Sequence, residues 1–385
     1  QADQKDRVYE MVGGMTEIKQ QGCEQRKRQQ WRQIQDSIFG ISRRALALSQ
    51  TEEAGGICIN ELTSIVVIII TATAVIDGSL TLGMMLAIQG VIGQLRGPLD
   101  DIMDMAYQWQ DVNISMERID EIHAMDDEET AQRHVTAVAD ISIHLEHVSF
   151  KYDRMKSTNI LDDITLDIPQ GRVTAIVGTS GSGKTTLAKL ILGHYAPLQG
   201  HIDVGGTPLG SISLAWWRRQ CGVVMQDGRL FEESIAQNIA LGYDEIDPDR
   251  IEYAAHMANI LDYIDQLPMG FDTILYQGGQ NLSNGQRQRL LIARAIYRMP
   301  RLFVFDEATN SLDTNNETAI VNNLQEVFHD KTVVLIAHRL STVRHADNIV
   351  VLHQGRIAEQ GTHQELVQRR GMYYELVKNQ LDIEE

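Results

Sequence analysis

Cysteine is nearly missing from this chain of 385 residues, and the three present, Cys23, Cys58 and Cys221, stand far apart. That excludes a disulfide-stapled scaffold and any cysteine-based zinc spacing, and it suggests a reducing compartment. The twelve histidines are scattered and show no metal-ligand spacing. Cations are short too: 34 Lys and Arg stand against 52 Asp and Glu, a formal net charge of -18. A nucleic-acid backbone demands clustered cations, so nucleic-acid binding is excluded as the main activity. The basic cluster Arg26-Lys27-Arg28 with Arg32 is brief, interrupted by glutamine, and reads as the cytoplasmic flank of a membrane segment. No signal peptide and no initiator Met precede Gln1, from which the expectation is a piece of something longer. What the chain does hold is apolar content, 43% of its residues, enough for the buried cores of about two domains.

Gly178-Thr179-Ser180-Gly181-Ser182-Gly183-Lys184-Thr185-Thr186 is a complete G-x-x-x-x-G-K-T phosphate loop. Thr174 to Val177 before it is β-branched and apolar, as a buried strand is, and Leu187 to Leu192 after it has helical apolar spacing. Glycines let such a loop fold tightly, so that its N–H groups and the positive end of the next helix face phosphates. Lys184 then reaches the β- and γ-phosphates, and the Thr185 hydroxyl holds Mg2+. An ordinary Gly/Ser turn gives no reason for a Lys-Thr pair between a strand and a helix. Downstream, the apolar run Leu302 to Phe305 ends in Asp306-Glu307. At such a strand end the first acid supports Mg2+ and the second orients or deprotonates an attacking water.

Leu282-Ser283-Asn284-Gly285-Gln286, followed by the helical run Arg287 to Ala295, resembles the LSGGQ signature of ABC ATPases. The chain is similar, from there back to its phosphate loop, to the nucleotide-binding domain of an ABC exporter. That resemblance implies ATP and Mg2+ as cofactors and a second half-transporter, here a homodimer, as partner. Ser283, Gly285 and Gln286 of one copy would close on the γ-phosphate held by Gly178, Ser180, Gly181, Ser182, Gly183, Lys184, Thr185 and Thr186 of the other. It also implies that Tyr152 stacks on adenine, that Gln226 senses the metal and the lytic water, and that His338 hydrogen-bonds the γ-phosphate. Asp313, in Asn310-Ser311-Leu312-Asp313, falls on the loop that crosses the dimer interface. Catalysis thus rests on Glu307, His338 and Gln226, and metal binding on Thr185, Gln226 and Asp306. Two departures stand out. Asn284 replaces a signature glycine, which Asn's tolerance of left-handed backbone would allow. Tyr276-Gln277 stands where exporters commonly carry Gly-Glu, which removes a charged contact to the membrane part but leaves a hydrogen-bonding one.

Ahead of that domain, residues 1 to about 50 read as a long solvated helical region, with apolar spacing at Val8, Met11, Met15 and Ile18, then Trp31, Ile34 and Ile38. Ile57 to Ile76 follows with an unbroken apolar core from Ile65 to Ile70; about twenty residues at ~1.5 Å each span a ~30 Å hydrocarbon layer. After the Asp77-Gly78 turn, Leu80 to about Leu95 is a weaker apolar stretch, which completes a transmembrane hairpin with both ends cytoplasmic. An ionised group at mid-membrane costs ~2.5 to 3.5 kcal/mol, so Glu61 is expected to face a wet cavity or to lie beyond the hydrocarbon edge. Arg96 to about Met125 continues the last helix into the cytoplasm, with a kink expected at Pro98.

The expected fold is multi-domain: an all-α transmembrane fragment over 1–125, a linker over 126–140, and over 141–380 an α/β phosphate-loop ABC ATPase domain with an α-helical subdomain. Gly14 to Lys19 and Trp31 to Gln35 are similar to peptidase-containing bacteriocin-type peptide exporters, although no peptidase Cys/His arrangement can be located here. The implied function is ATP-driven export of a peptide or other amphipathic cargo across the cytoplasmic membrane, the ATPase domain remaining cytoplasmic. Two alternatives stay open: a soluble, non-transport ABC ATPase, and a catalytically silent regulatory ABC subunit.

Overall fold

The computed structural model describes residues 2–124, 127–128, 133–153, 158–279, 281–308, 314–337 and 343–384. The chain divides into a helical unit, Gln1–Asp126, and an α/β unit, Asp127–Glu385.

The helical unit begins with α1 (Ala2–Gly13) and α2 (Met15–Gln20), so the polar helical region is broken at the Gly13-Gly14 pair and again beside Gly22, whose φ is +60°. α3 (Glu24–Ile76) then runs without interruption for 53 residues. It is the one described helix long and apolar enough to cross a membrane; the stretch Leu82–Leu95 is apolar but shorter. Gly78, at φ +74°, turns the chain, and the Thr81 hydroxyl caps α4 (Leu82–His123) by accepting from the Met84 N–H at 3.3 Å. The second apolar helix therefore starts two residues after Leu80 and passes through Pro98. Along the apolar part of α3 the hydroxyls of Thr63, Ser64, Thr71 and Thr73 each donate to the carbonyl four residues back, at 2.7 to 2.9 Å. Hydroxyls satisfied within their own helix suit a hydrocarbon surrounding, and Ile65, Ile69 and Ile70 are exposed beside them.

In the α/β unit a four-stranded antiparallel sheet, in the order β2-β1-β4-β5, comprises β1 (Ile143–Phe150), β2 (Leu161–Ile168), β4 (Gln199–Val204) and β5 (Thr207–Pro208). A six-stranded sheet runs β10-β9-β3-β8-β7-β6, from β3 (Val173–Gly178), β6 (Cys221–Val224), β7 (Leu302–Asp306), β8 (Thr332–Ile336), β9 (Asn348–His353) and β10 (Arg356–Gly361). All its pairings are parallel except β9 with β10. β7 is buried at every residue, which is why it reads as an uninterrupted apolar run: a parallel strand covered on both faces has no solvent side.

α5 (Lys184–Ile191) packs with β1, β2 and α6 (Leu214–Gln220) into one core, where Trp217 is fully buried. A second core holds the opposite face of the parallel sheet together with α7 (Ile235–Ile239), α8 (Pro248–Met257), α9 (Leu261–Asp265), α10 (Asn284–Tyr297) and α11 (Thr314–Val327). The described part of the linker is pinned to this unit. Arg218 grips Glu128 with both terminal nitrogens, at 2.8 and 2.5 Å, and Arg133 donates to the Leu209 and Ile212 carbonyls, each at 3.1 Å.

Candidate functional site

β3 delivers the phosphate loop at the end of the parallel sheet. A Cβ on Gly178 would collide with the Leu352 carbonyl oxygen of the neighbouring β9, so only glycine fits there. Gly183 is left-handed at φ +102°, and a Cβ on it would lie 2.7 Å from Leu161 Cδ2. It directly precedes Lys184, the first residue of α5.

Lys184 is 6% exposed, and its Nζ donates to the carbonyls of Gly178 at 2.9 Å and Thr179 at 3.0 Å. Burial pulls its pKa below the ordinary lysine range, against the opposing charges of Glu307 and Asp306. The Ser182 hydroxyl is buried without a partner. Asp306, at the end of β7, is fully buried, and neither carboxylate oxygen makes a hydrogen bond of good geometry. Burial pushes its pKa up; the nearby Thr185 hydroxyl lowers it, Glu307 raises it again, and Lys184 lowers it. The next residue, Glu307, holds a left-handed backbone at φ +54°, and its N–H donates at 2.9 Å to Ile336 O on β8. A non-glycine residue there stores about 1–3 kcal/mol of strain, which recurs at functional positions. Lys184, Thr185, Asp306 and Glu307 are thus brought together.

Tyr152 lies beside the start of α5, where its hydroxyl shares a 3.2 Å hydrogen bond with Thr186. Its ring is half-exposed and meets Phe150 edge-on at 5.1 Å. The signature residues stand on α10. Ser283 caps that helix by accepting from the Gln286 N–H at 3.2 Å, while Gln286 Oε1 accepts from the Ser283 N–H at 2.8 Å, a reciprocal capping box. Asn284 is the first helical residue and is absent from the left-handed positions, so its tolerance of that conformation is not what admits it here. Gln226 is exposed and lines a cavity of about 940 Å³ whose other walls include Arg229, Phe231, Asn284 and Arg287; no phosphate-loop residue is among them. His338 and Asp313 lie outside the described residues.

Sequence reasoning missed Arg294. From α10 it donates to Asn238 O at 2.8 Å, Arg229 O at 2.9 Å and Asn238 Oδ1 at 3.0 Å, and burial pulls its pKa down to about 10. The signal was a lone basic residue between Ala293 and Ala295, which are both buried. Among the described residues no cluster of His, Cys, Asp and Glu is arranged as a metal site of its own.

The family model described as ABC transporter matches residues 161–310. The chain is 36% identical over 381 residues to the toxin RTX-III translocation ATP-binding protein of Actinobacillus pleuropneumoniae, which covers 99% of this chain and 53% of that protein. It is likewise 36% identical over 374 residues to a leukotoxin export ATP-binding protein of Aggregatibacter actinomycetemcomitans, covering 97% of this chain and 53% of the relative. The chain therefore spans about half the length of the curated relatives it matches. The solved structure of a bacterial Atm1-family ABC exporter with ATP bound superposes with a TM-score of 0.85 at 32% identity, over 97% of this chain and 66% of that one. Likeness on this scale, running through the helices as well as the nucleotide loops, makes the chain a member of the ABC transporter family with the layout of an exporter half.

Proposed function

We propose that this chain supplies the ATP-hydrolysing part and two of the membrane helices of an exporter that works as a dimer of like halves. One observation carries the reading: the Asp306 carboxylate is fully buried with no hydrogen bond of good geometry to either oxygen, beside Lys184 and Thr185 and just before the strained Glu307. A buried charge whose neighbours only partly compensate its burial costs stability, and a cation brought in with a nucleotide triphosphate offsets that cost. The donor set fits Mg2+, a hard cation that takes oxygen ligands; Thr185 and Asp306, with Gln226, would hold it. Bound there, Mg2+ neutralises charge on the phosphates during transfer.

Lys184 exchanges its two loop carbonyls for the β- and γ-phosphates, and the N–H groups of Ser180 to Thr186 cradle them. Tyr152 offers its ring to the base. Glu307 orients the attacking water and accepts its proton, and His338 hydrogen-bonds the γ-phosphate. From the second copy, Ser283, Gly285 and Gln286 present the N-terminal end of α10 to that phosphate, with Asp313 at the interface. Closing the pair and reopening it after hydrolysis drives the helices between inward- and outward-facing arrangements.

Membrane placement is supported by the exposed Ile65, Ile69 and Ile70, a surface that a soluble ATPase would not leave to water. A silent regulatory subunit would not need both acids, Asp306 and Glu307, at the end of β7. For cargo, the relatives' names speak of toxin translocation and leukotoxin export, and Gly14 to Lys19 has the wording of peptide exporters. We therefore assign a polypeptide cargo. The test is Glu307→Gln in the full chain reconstituted in liposomes. Nucleotide retention and a trapped closed dimer should persist while turnover falls by about 10²-fold or more, the worth of a general base; turnover at the parent rate would refute the assignment.

A further inference from the structure

Both ends of α5 converge on a single aromatic ring. At the N-terminal end Thr186 holds the Tyr152 hydroxyl, as described above. At the C-terminal end Gly193 reverses the chain at φ +70°, with the Gly193 N–H donating to Leu190 O at 3.0 Å and the His194 N–H to Lys189 O at 2.9 Å. A Cβ on Gly193 would lie 2.6 Å from Leu214 Cδ2, so the turn is restricted to glycine by space as well as by backbone angle. That reversal carries Tyr195 back onto the strand end of β1. Its ring meets Tyr152 at 5.2 Å and 83°, and Phe150 at 5.4 Å and 43°. Phe150 is buried, whereas Tyr195 and Tyr152 are 43% and 48% exposed. Tyr152 is therefore held through its ring by Phe150 and Tyr195 and through its hydroxyl by Thr186.

A half-exposed tyrosine without such bracing samples several χ1 wells, and a base that stacks on it must first select one of them. We propose that Tyr195 is a positioning residue for the nucleobase: its ring holds Tyr152 in the orientation that stacks on a purine. Affinity for a purine triphosphate then depends on a residue at the far end of the phosphate-loop helix. The inference rests on the reading of Tyr152 as the base-stacking residue.

The experiment measures KM and kcat for ATP, and inhibition by inorganic tripolyphosphate as a base-free probe, in the full chain. Tyr195→Ala should raise the ATP KM roughly three- to tenfold, the worth of one edge-to-face ring pair, at unchanged kcat. Tripolyphosphate should inhibit it as it does the parent, because the phosphate loop is untouched. Tyr195→Phe should behave as the parent, since the ring makes both contacts, while Tyr195→Leu should match Tyr195→Ala and guard against a folding artefact. Combining Tyr195→Ala with Tyr152→Ala should be no worse than Tyr152→Ala alone, as an effect exerted through Tyr152 requires. The inference is overturned if Tyr152→Ala raises KM and Tyr195→Ala does not, if the two losses add, or if tripolyphosphate binding weakens in step with ATP. Should Tyr152→Ala itself leave KM unchanged, the base-stacking reading fails first and this inference falls with it.

Discussion

Asp306→Asn should stabilise the nucleotide-free chain while abolishing the response to Mg2+. In the folded protein this carboxyl is fully buried, and neither oxygen has a hydrogen bond of good geometry. Its pKa lies above the ordinary range, raised first by burial and further by Glu307, even with the Thr185 hydroxyl and Lys184 acting the other way. A net upward shift means that the fold disfavours the ionised form, so at neutral pH a neutral isostere removes a cost that Thr185 and Lys184 offset only in part. The gain is about 1–3 kcal/mol, because the amide still buries a polar group but no longer a charge. For a domain of this size each kcal/mol moves the midpoint by about 2–4 °C, so a rise of about 2–12 °C is expected. Thermal unfolding followed through Trp216 and the buried Trp217 of α6 reads the change within the ATPase unit. Its pH dependence has a definite sign. Below the ordinary carboxylate range Asp306 is neutral whether folded or unfolded, and the variant gains nothing. As pH climbs towards the raised folded pKa the parent loses stability, and above it the gain is constant. A lower midpoint for the variant at neutral pH, or a gain that grows in acid, would refute the reasoning. Adding ATP, the parent should show an extra rise with Mg2+ that the variant lacks.

Arg294→Met should destabilise the ATPase unit by about 2–4 kcal/mol, since three hydrogen bonds to Asn238 and Arg229 go with the guanidinium; a urea-unfolding loss below about 1 kcal/mol would contradict that. Gly183→Ala should weaken retention of labelled nucleotide and cost about 1–3 kcal/mol of stability, because it forces a Cβ against Leu161 at a left-handed position; parent-level retention and unfolding midpoint would show that the loop relaxes.

The parts of the site that were legible in the sequence are those whose chemistry is local. A phosphate loop announces itself because its glycines, its Lys-Thr pair and its flanking elements are contiguous. The end of β7 did so because a strand buried on both faces must be apolar until its first functional acid. Ser283 and Gln286 stand three apart, the spacing of a capping box, at the start of a helix. What stayed hidden depends on where distant segments meet. Tyr195 looks like any surface tyrosine until Gly193 turns it onto a ring that is 43 positions away. The partners of Arg294 are Arg229, 65 residues earlier, and Asn238 on α7, 56 residues earlier. The left-handed backbone of Glu307 has no sequence signature, since glutamate is not a residue that seeks that region. At Asn284 the left-handed tolerance of Asn predicts a replacement for glycine's freedom, whereas the position is ordinary helix, where Asn needs no special allowance.

The same Arg294 bonds bear on how the signature and the Gln226 segment share motion. α10 carries Ser283 at its N-terminal end and grips Arg229 and Asn238 through Arg294, eleven residues further along. Asn238, itself 1% exposed, holds the segment after Gln226 through the Phe231 N–H at 2.8 Å and the Phe231 carbonyl at 3.0 Å. In the dimer proposed above, a displacement of α10 would have to shift Arg229 to Phe231 with it or break charge-assisted hydrogen bonds. Those residues form one wall of the 940 Å³ cavity, and Asn284 and Arg287 of α10 form another. The N-terminal end of α10 and the segment after Gln226 are thus tied together through Arg294 and Asn238, with the cavity between them.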